Sequence, residues 1–428
     1  MKTTIKVLSV LASAVLLCGF ASCSDDDEPS SGIQTPITDE RPDNYGDDSK
    51  ITDEKAYFEE TAKLFLNKFK ASDQEAIIRM ANDFVNDYEE LDMPDEFSKA
   101  PAAAMMKSIS RSLASADIYG LSRSYESYYY AISKYSGIYE PGKYSWVRVG
   151  DSDDLVFQYN DRSGRKCSAT AKASKESWSG NITVDGDTYS AEVPRQIDIT
   201  VMQGSTEMLT ATVKTNYVKN SSLEVTVNTK AANLEVNTTL NADNSSVNTA
   251  TSFAVNGSVI VAAVGKVSGS NLCKQDYIQD LIENEDSDGL YKLFSNAIAT
   301  ADVLGRIQVK GELSNLKDIV EAMDFDDWSK EEADNGAKAL NKYLKGTFYL
   351  NGASKERGTI EWQSYLDYYD DWSWNGESYH YEEWYVEPLL KFKDGTTYSI
   401  DSYFGNGKFA SVENIFENLV DSYEALWK

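Results

Sequence analysis

Ile197-Asp198-Ile199-Thr200-Val201, Leu209-Thr210-Ala211-Thr212-Val213 and Leu223-Glu224-Val225-Thr226-Val227-Asn228 decide the fold. In each run apolar and polar residues alternate, so an extended chain puts every apolar side chain on one face and every polar one on the other. Asp198, Thr200, Thr210, Thr212, Glu224, Thr226 and Asn228 make the second face wet, the mark of antiparallel strands buried on one side. The pattern continues through Leu234, Val236, Val259, Val261 and Ala263, with turn signals at Ser163-Gly164, Asp185-Gly186 and Gln203-Gly204. Residues 139–270 are therefore expected to form a large antiparallel β-meander of about nine or ten strands, which accumulated twist would curl into a curved sheet or half-barrel. The likeness between Leu223-Glu224-Val225 and Leu234-Glu235-Val236 is too short to signal a repeat architecture.

The flanks read differently. Residues 51–138 are expected to be helical. A first helix follows Asp53, and a second opens at Ser72 with Glu75 as a capping box and Ile77, Ile78, Ala81, Phe84, Val85 and Tyr88 as its apolar face. Two more are expected over 102–116 and 119–135. Residues 271–428 mix both types, with helices expected over 274–284, 291–301 and 316–323, and another capped by Ser329 and Glu332 that closes at Gly346. A hairpin is expected over 389–400 around Asp394-Gly395. A strongly amphipathic last helix carries Val412, Ile415, Phe416, Leu419, Val420, Tyr423 and Leu426, a face that must dock on something such as the sheet. Strands in a block rather than in alternation with helices give an α+β class, not a doubly wound parallel sheet.

The chain has 428 residues, with 41 Lys+Arg against 69 Asp+Glu and a formal net charge of −28. Such a charge repels nucleic-acid phosphates and anionic headgroups, so no nucleic-acid partner is expected. His380 is the only histidine, which leaves no Ser/His/Asp triad beyond what that one residue could serve and no assembled zinc motif. No Gly-x-x-x-x-Gly-Lys-Ser/Thr loop appears, and no Gly-x-Gly-x-x-Gly follows a strand, so no nucleotide and no cofactor is expected. Asn284, Asp286, Asp288 and Gly289 begin like a calcium loop, but Ser295 stands where a bidentate Glu belongs, and no metal is expected. Cys167 and Cys273 could pair as a disulfide outside the cell or remain two separate buried thiols.

At the N-terminus Lys2 and Lys6 precede an apolar run over 7–17 that is too short to span a bilayer. Phe20-Ala21-Ser22-Cys23 follows, and then Ser24-Asp25-Asp26-Asp27-Glu28. This lipobox and acidic run resembles the export tag of Bacteroidota-type surface lipoproteins. The resemblance implies a signal peptide over 1–22, lipidation of Cys23, a flexible lipidated tether over 23–50, and anchoring in the outer membrane with display at the cell surface.

The most unusual composition lies in 361–385, which holds four of the eight Trp. Trp362, Tyr369, Trp372, Trp374, Tyr379, Tyr381 and Trp384 are the candidate ligand-binding residues, interleaved with Asp367, Asp370, Asp371, Glu377, Glu382 and Glu383. Flat rings lie against the apolar faces of sugars, and carboxylates accept their hydroxyl hydrogen bonds. If 372 and 374 are extended before an Asn375-Gly376 turn, the two indoles share a face. The expectation is a non-catalytic surface protein that binds a glycan or glycoconjugate. Three other readings stay open: the rings cap the core, the curled sheet carries an apolar ligand or docks a surface protein, or Glu377, Glu382 and Glu383 supply the paired carboxylates of a glycoside hydrolase.

Overall fold

The computed structural model describes residues 51–88, 91, 136–184, 187–274, 277–278, 281, 289, 291–324, 329–353, 355–372, 378–399 and 410–427. The signal, the tether, the expected helices over 102–116 and 119–135 and the acidic loop over 284–288 lie outside these residues, as does most of the helix expected over 274–284.

Alternation along the chain becomes one large, mostly antiparallel, open sheet of sixteen strands. Its first strands are β1 (Gly137–Pro141), β2 (Trp146–Gly150), β3 (Leu155–Asn160) and β4 (Lys166–Ala173). A separate two-stranded hairpin, β5 (Ser177–Val184) and β6 (Asp187–Pro194), interrupts it. The sheet resumes with β7 (Gln196–Gln203), β8 (Thr206–Val218), β9 (Ser222–Ala231), β10 (Leu234–Asp243), β11 (Ser246–Val255) and β12 (Ser258–Gly269). It continues through β13 (Phe294–Val303), β14 (Ile307–Leu313), β15 (Leu344–Leu350), β16 (Gly358–Trp372), β17 (Ser378–Phe392) and β18 (Thr397–Ser399). From β7 to β18 each strand pairs with its chain neighbour; at the far end the order is β4, β3, β1, β2, with β1 and β3 parallel.

Register carries the apolar face across the molecule. One row of directly opposed residues runs Ala173, Ile197, Val213, Val227, Thr238, Thr251, Ala263, Ala301, Val309, Phe348, Gly358 and Phe392. The adjacent row, on the other face, is Lys172, Asp198, Thr212, Asn228, Asn237, Ser252, Ala262, Asp302, Gln308 and Tyr349. A one-residue slip anywhere would exchange the two rows; across β11 to β14 the second row is buried too, at Ser252, Ala262, Asp302 and Gln308, so both faces hold the register there.

Among the described residues there are five helices: α1 (Glu54–Leu66), α2 (Ala71–Tyr88), α3 (Leu316–Met323), α4 (Lys330–Tyr343) and α5 (Ala410–Trp427). Phe58 and Ala62 of α1 and Val412 of α5 pack on Phe348 and Phe392, while Phe65, Phe69 and Leu419 pack on Val255, Ile260, Val261 and Ala263. Met80, Ile77, Phe84 and Tyr88 of α2 close over Tyr139, Trp146, Leu155, Tyr159 and Cys167.

Hairpin turns at this end of the sheet grip the helices. Arg306 reaches Glu60 at 2.8 Å and Thr61 at 3.0 Å and lies over the Tyr57 ring, and Arg357 reaches Glu54 at 3.2 Å and the Ile51 carbonyl at 3.3 Å. Lys55 pairs with Asp394 at 3.0 Å, and Arg162 pairs with Asp87 at 2.8 Å. Gln74, only 2% exposed, donates to Asn233, whose amide nitrogen donates to Asp73 and Asn256; Tyr423 donates to Gln74 from α5.

Several local expectations give way to tertiary pairing. Residues 291–301 are not helical: β13 occupies 294–303 and sets Ala297, Ala299 and Ala301 on the apolar face, so alanine-rich composition yields to a neighbouring strand on each side. The meander therefore continues past residue 270. The Ser329–Glu332 capping box forms, but its helix ends at Tyr343 and Gly346 lies inside β15, where a Cβ would stand 2.7 Å from that of Ile360. Helix α2 starts at Ala71 with Ser72 already inside it, because the chain turns tightly after α1 through Lys68 to Phe65 and Phe69 to Leu66 bonds. Helix α5 rests on α1 and α2 as well as on the sheet.

The disulfide is absent: both cysteines are free thiols. Cys167 stands level with Gln203 at one end of the strands, and Cys273 lies by Leu223 at the other. The intervening strand length is about ten residues at roughly 3.4 Å each, far beyond the roughly 7 Å Cα separation a disulfide spans.

Candidate functional site

Strands β16 and β17 are the two longest among the described residues, fifteen residues each, and β15 pairs with β16 only at Gly358, Thr359 and Ile360. Over Glu361–Trp372, twelve residues or about 40 Å at the usual rise, β16 pairs with β17 alone, and the hairpin tip passes the ends of the other strands. Helix α4 flanks the first part of this arm. The Asn341 amide donates to the Trp362 carbonyl at 2.7 Å and accepts from the Trp362 N–H at 2.8 Å, taking the place of the missing strand. Ser364 donates to Asp334, and the Lys330 ammonium sits 5.0 Å from the Trp384 ring centroid. Hydrogen bonds from Lys330 and Ser364 hold the Asp334 carboxyl below the usual carboxylate range. Tyr368, the next residue on the same face after Leu366, is 55% exposed.

Directly opposed residues share a face, so register divides the arm. Ile360 with Leu390, Trp362 with Pro388, Ser364 with Val386 and Leu366 with Trp384 form the face under α4. On the open face Gln363 donates to Glu387 at 2.7 Å, and the Tyr365 and Tyr385 rings lie 5.8 Å apart at 32°. Tyr385 donates to Glu383, Glu383 opposes Asp367, and Lys391 pairs with Glu361 at 2.6 Å. The result is a strip of paired phenol rings with a carboxamide and carboxylates on either side.

Trp362 and Trp384 are half-buried on the α4 face. Position 372 belongs to that same series, whereas 369, 379 and 381 belong to the open series; the side chains of 369, 372, 379 and 381 lie outside the described residues, as does Trp374 entirely. Of the seven candidates, the two whose side chains are described, Trp362 and Trp384, share the α4 face. Trp372 pairs with Ser378, which places the connection over 373–377; a two-residue Asn375-Gly376 turn would have paired Trp372 with Tyr379. Tyr365 and Tyr385, with Gln363 and Glu387, are the open-face residues that a choice by Trp content passes over. Alternation along each strand was the available signal for their faces; their pairing across the hairpin depends on the loop length and was not legible.

Across 361–387 the chain carries eight acidic residues and no Lys or Arg. Elsewhere Asp161 is enclosed, accepting from Arg165, Ser163 and Gln203, and its carboxyl is held low despite burial. Asp302 is also enclosed, accepting from the Gly305 N–H at 2.6 Å and from Gln308 at 2.5 Å, and burial pushes its carboxyl up. Among the described residues no His, Cys, Asp and Glu group could hold a metal ion, and no helix is long and apolar enough to cross a membrane. Comparison with family models, with curated proteins and with solved structures finds no match.

Proposed function

We propose that this protein is a lipoprotein, lipidated at Cys23 and displayed on the outer membrane, that captures a glycan or glycoconjugate without catalysis on the open face of its β16–β17 arm. The observation that carries the reading is the Tyr365–Tyr385 ring pair set beside Gln363, Glu387, Glu383 and Asp367 on a hairpin that outruns the sheet. Phenol rings give a sugar an apolar surface to lie on, and the flanking groups answer its hydroxyls. The placement suits display. Helix α1, which follows the tether, is gripped at the turn end of the sheet by Arg357, and the arm runs from Gly358 toward the opposite end.

Such a shallow platform binds weakly, about −4 to −8 kcal/mol, or millimolar to micromolar. The test is titration of the full-length protein with a glycan panel, read by intrinsic fluorescence, beside a Tyr365→Ala/Tyr385→Ala variant of native circular dichroism. Binding lost in the variant supports the reading; affinities unchanged for every bound glycan would show that the site lies elsewhere. Palmitate labelling lost in Cys23→Ala tests the anchor.

A second reading, an apolar-ligand carrier, is favoured by Val236, which lies in the apolar series of the sheet and yet is 38% exposed. It goes with the further proposal that the sheet curls, since sixteen strands at roughly 20–25° of twist per neighbour turn the sheet strongly. Saturable binding of an apolar fluorescent probe, with no glycan bound, would favour the carrier.

A further inference from the structure

We infer that the open face of the arm takes glycan chains whose units are uncharged or bear amines, and rejects chains that carry sulfate or carboxylate. The inference rests on the glycan reading above and adds the sign of the ligand.

The strip is acidic along its length. On the open face Glu361, Asp367, Glu383 and Glu387 stand beside the Tyr365–Tyr385 pair, and Glu382 lies exposed across the strand. Lys391, on the same face, is ion-paired with Glu361, and Lys330, on the α4 side, is ion-paired with Asp334. Asp367 and Glu383 are directly opposed, about 5 Å apart, and Glu361 and Glu387 are diagonal neighbours, about 7 Å apart. Both spacings are shorter than the Debye length of about 8 Å at physiological salt. A charged group of a chain laid over either pair is therefore within reach of two carboxylates, and 361–387 contains no arginine or lysine. A hydroxyl meets carboxylate acceptors; an ammonium meets attraction; a sulfate or uronate meets summed repulsion and finds no guanidinium within 361–387 to pair with.

The experiment is calorimetric titration of the full-length protein in detergent at pH 6 with three hexasaccharides: deacetylated chitosan, its N-acetylated form and oligogalacturonate. The expected order is chitosan, then the N-acetylated chain, then oligogalacturonate, with at least about a tenfold gap between first and last at low salt. At 1 M salt, where the Debye length falls to about 3 Å, the gap should close to within about twofold. The Asp367→Asn/Glu383→Gln/Glu387→Gln variant, whose amides keep acceptor oxygens but lose the charge, should narrow the low-salt gap about fivefold. The salt series on the unaltered protein tests the point without any variant. Oligogalacturonate binding as tightly as the N-acetylated chain, and lost in Tyr365→Ala/Tyr385→Ala, would overturn the charge rule and leave the glycan reading standing. No binding by any hexasaccharide would overturn both.

Discussion

Phe348→Ala tests how the helices are joined to the sheet. The ring is 1% exposed and meets Phe58 of α1 at 5.3 Å and 78°, and Phe392 of β17 at 5.5 Å and 67°, with Val309, Leu390 and Val412 around it. Truncating a buried Phe costs about 3–5 kcal/mol in transfer and cavity terms together, within which each edge-to-face ring pair accounts for about 0.5–1.5 kcal/mol. The upper part of that range is expected here. Gly358 lies against the ring so closely that a Cβ there would overlap it, so the backbone is already in contact and cannot move in to fill the void. Phe348→Leu, which keeps most of the volume, should cost about 1.5 kcal/mol or less. Urea unfolding followed by far-ultraviolet circular dichroism measures both, with an unchanged slope showing that the native state is still compact. A loss below about 1.5 kcal/mol for the alanine variant would mean that α1 and α5 do not meet the sheet through this cluster.

Asp302 makes stability depend on pH in a direction opposite to the usual carboxylate. Burial raises its folded-state pKa above the unfolded value, so the folded protein binds the proton more tightly, and stability is lost as pH rises from the unfolded to the folded value. In Asp302→Asn this part of the pH slope should vanish, while absolute stability falls by about 1 kcal/mol because an amide faces the Gln308 donor; a slope identical to that of the parent would refute the assignment. For the thiols, alkylation mapped by mass spectrometry should reach half-buried Cys273 before Cys167, which is 3% exposed, and no peptide linking the two should be found in protein purified without reductant.

The sheet was legible because strict alternation leaves little choice of face: Ile197, Val213 and Val227 do share one row, and Asp198, Thr212 and Asn228 share the next. Ser329 with Glu332, Asp53 ahead of α1 and Gly395 between β17 and β18 were legible as local hydrogen-bond and backbone chemistry. What escaped was decided by distant partners. Ala297, Ala299 and Ala301 are strand residues only because β12 and β14 lie on either side. The same holds for the arm: Trp362 and Trp384 pack beside a helix whose approach no local signal announces, and the connection over 373–377 shifts the pairing by one residue from that of a tight turn.

The edges of the sheet give the arm its sense. At its ends the sheet is blunted by short strands, β2 with five residues and β18 with three. Where β16 leaves β15, Asn341 closes the exposed backbone, and Pro388, opposite Trp362, removes one donor from β17. Past that point a two-stranded ribbon must be kept ordered without a sheet neighbour, at about 1–2 kcal/mol of backbone entropy per residue, and an isolated hairpin is marginal in water. The Tyr365–Tyr385 stack, the Gln363–Glu387 and Lys391–Glu361 bonds and the α4 contacts offset that cost along the part nearest the body. The acids do a second job there, since a second copy laid edge to edge would bring two acidic ribbons together without a lysine or arginine in 361–387 to pair with them. One charge pattern thus keeps the arm from pairing with itself and sets the sign of what it can hold. The Asp367→Asn/Glu383→Gln/Glu387→Gln variant should therefore self-associate more readily as well as discriminate less, which sedimentation velocity at rising concentration would show; a variant that stays as monomeric as the parent would separate the two roles.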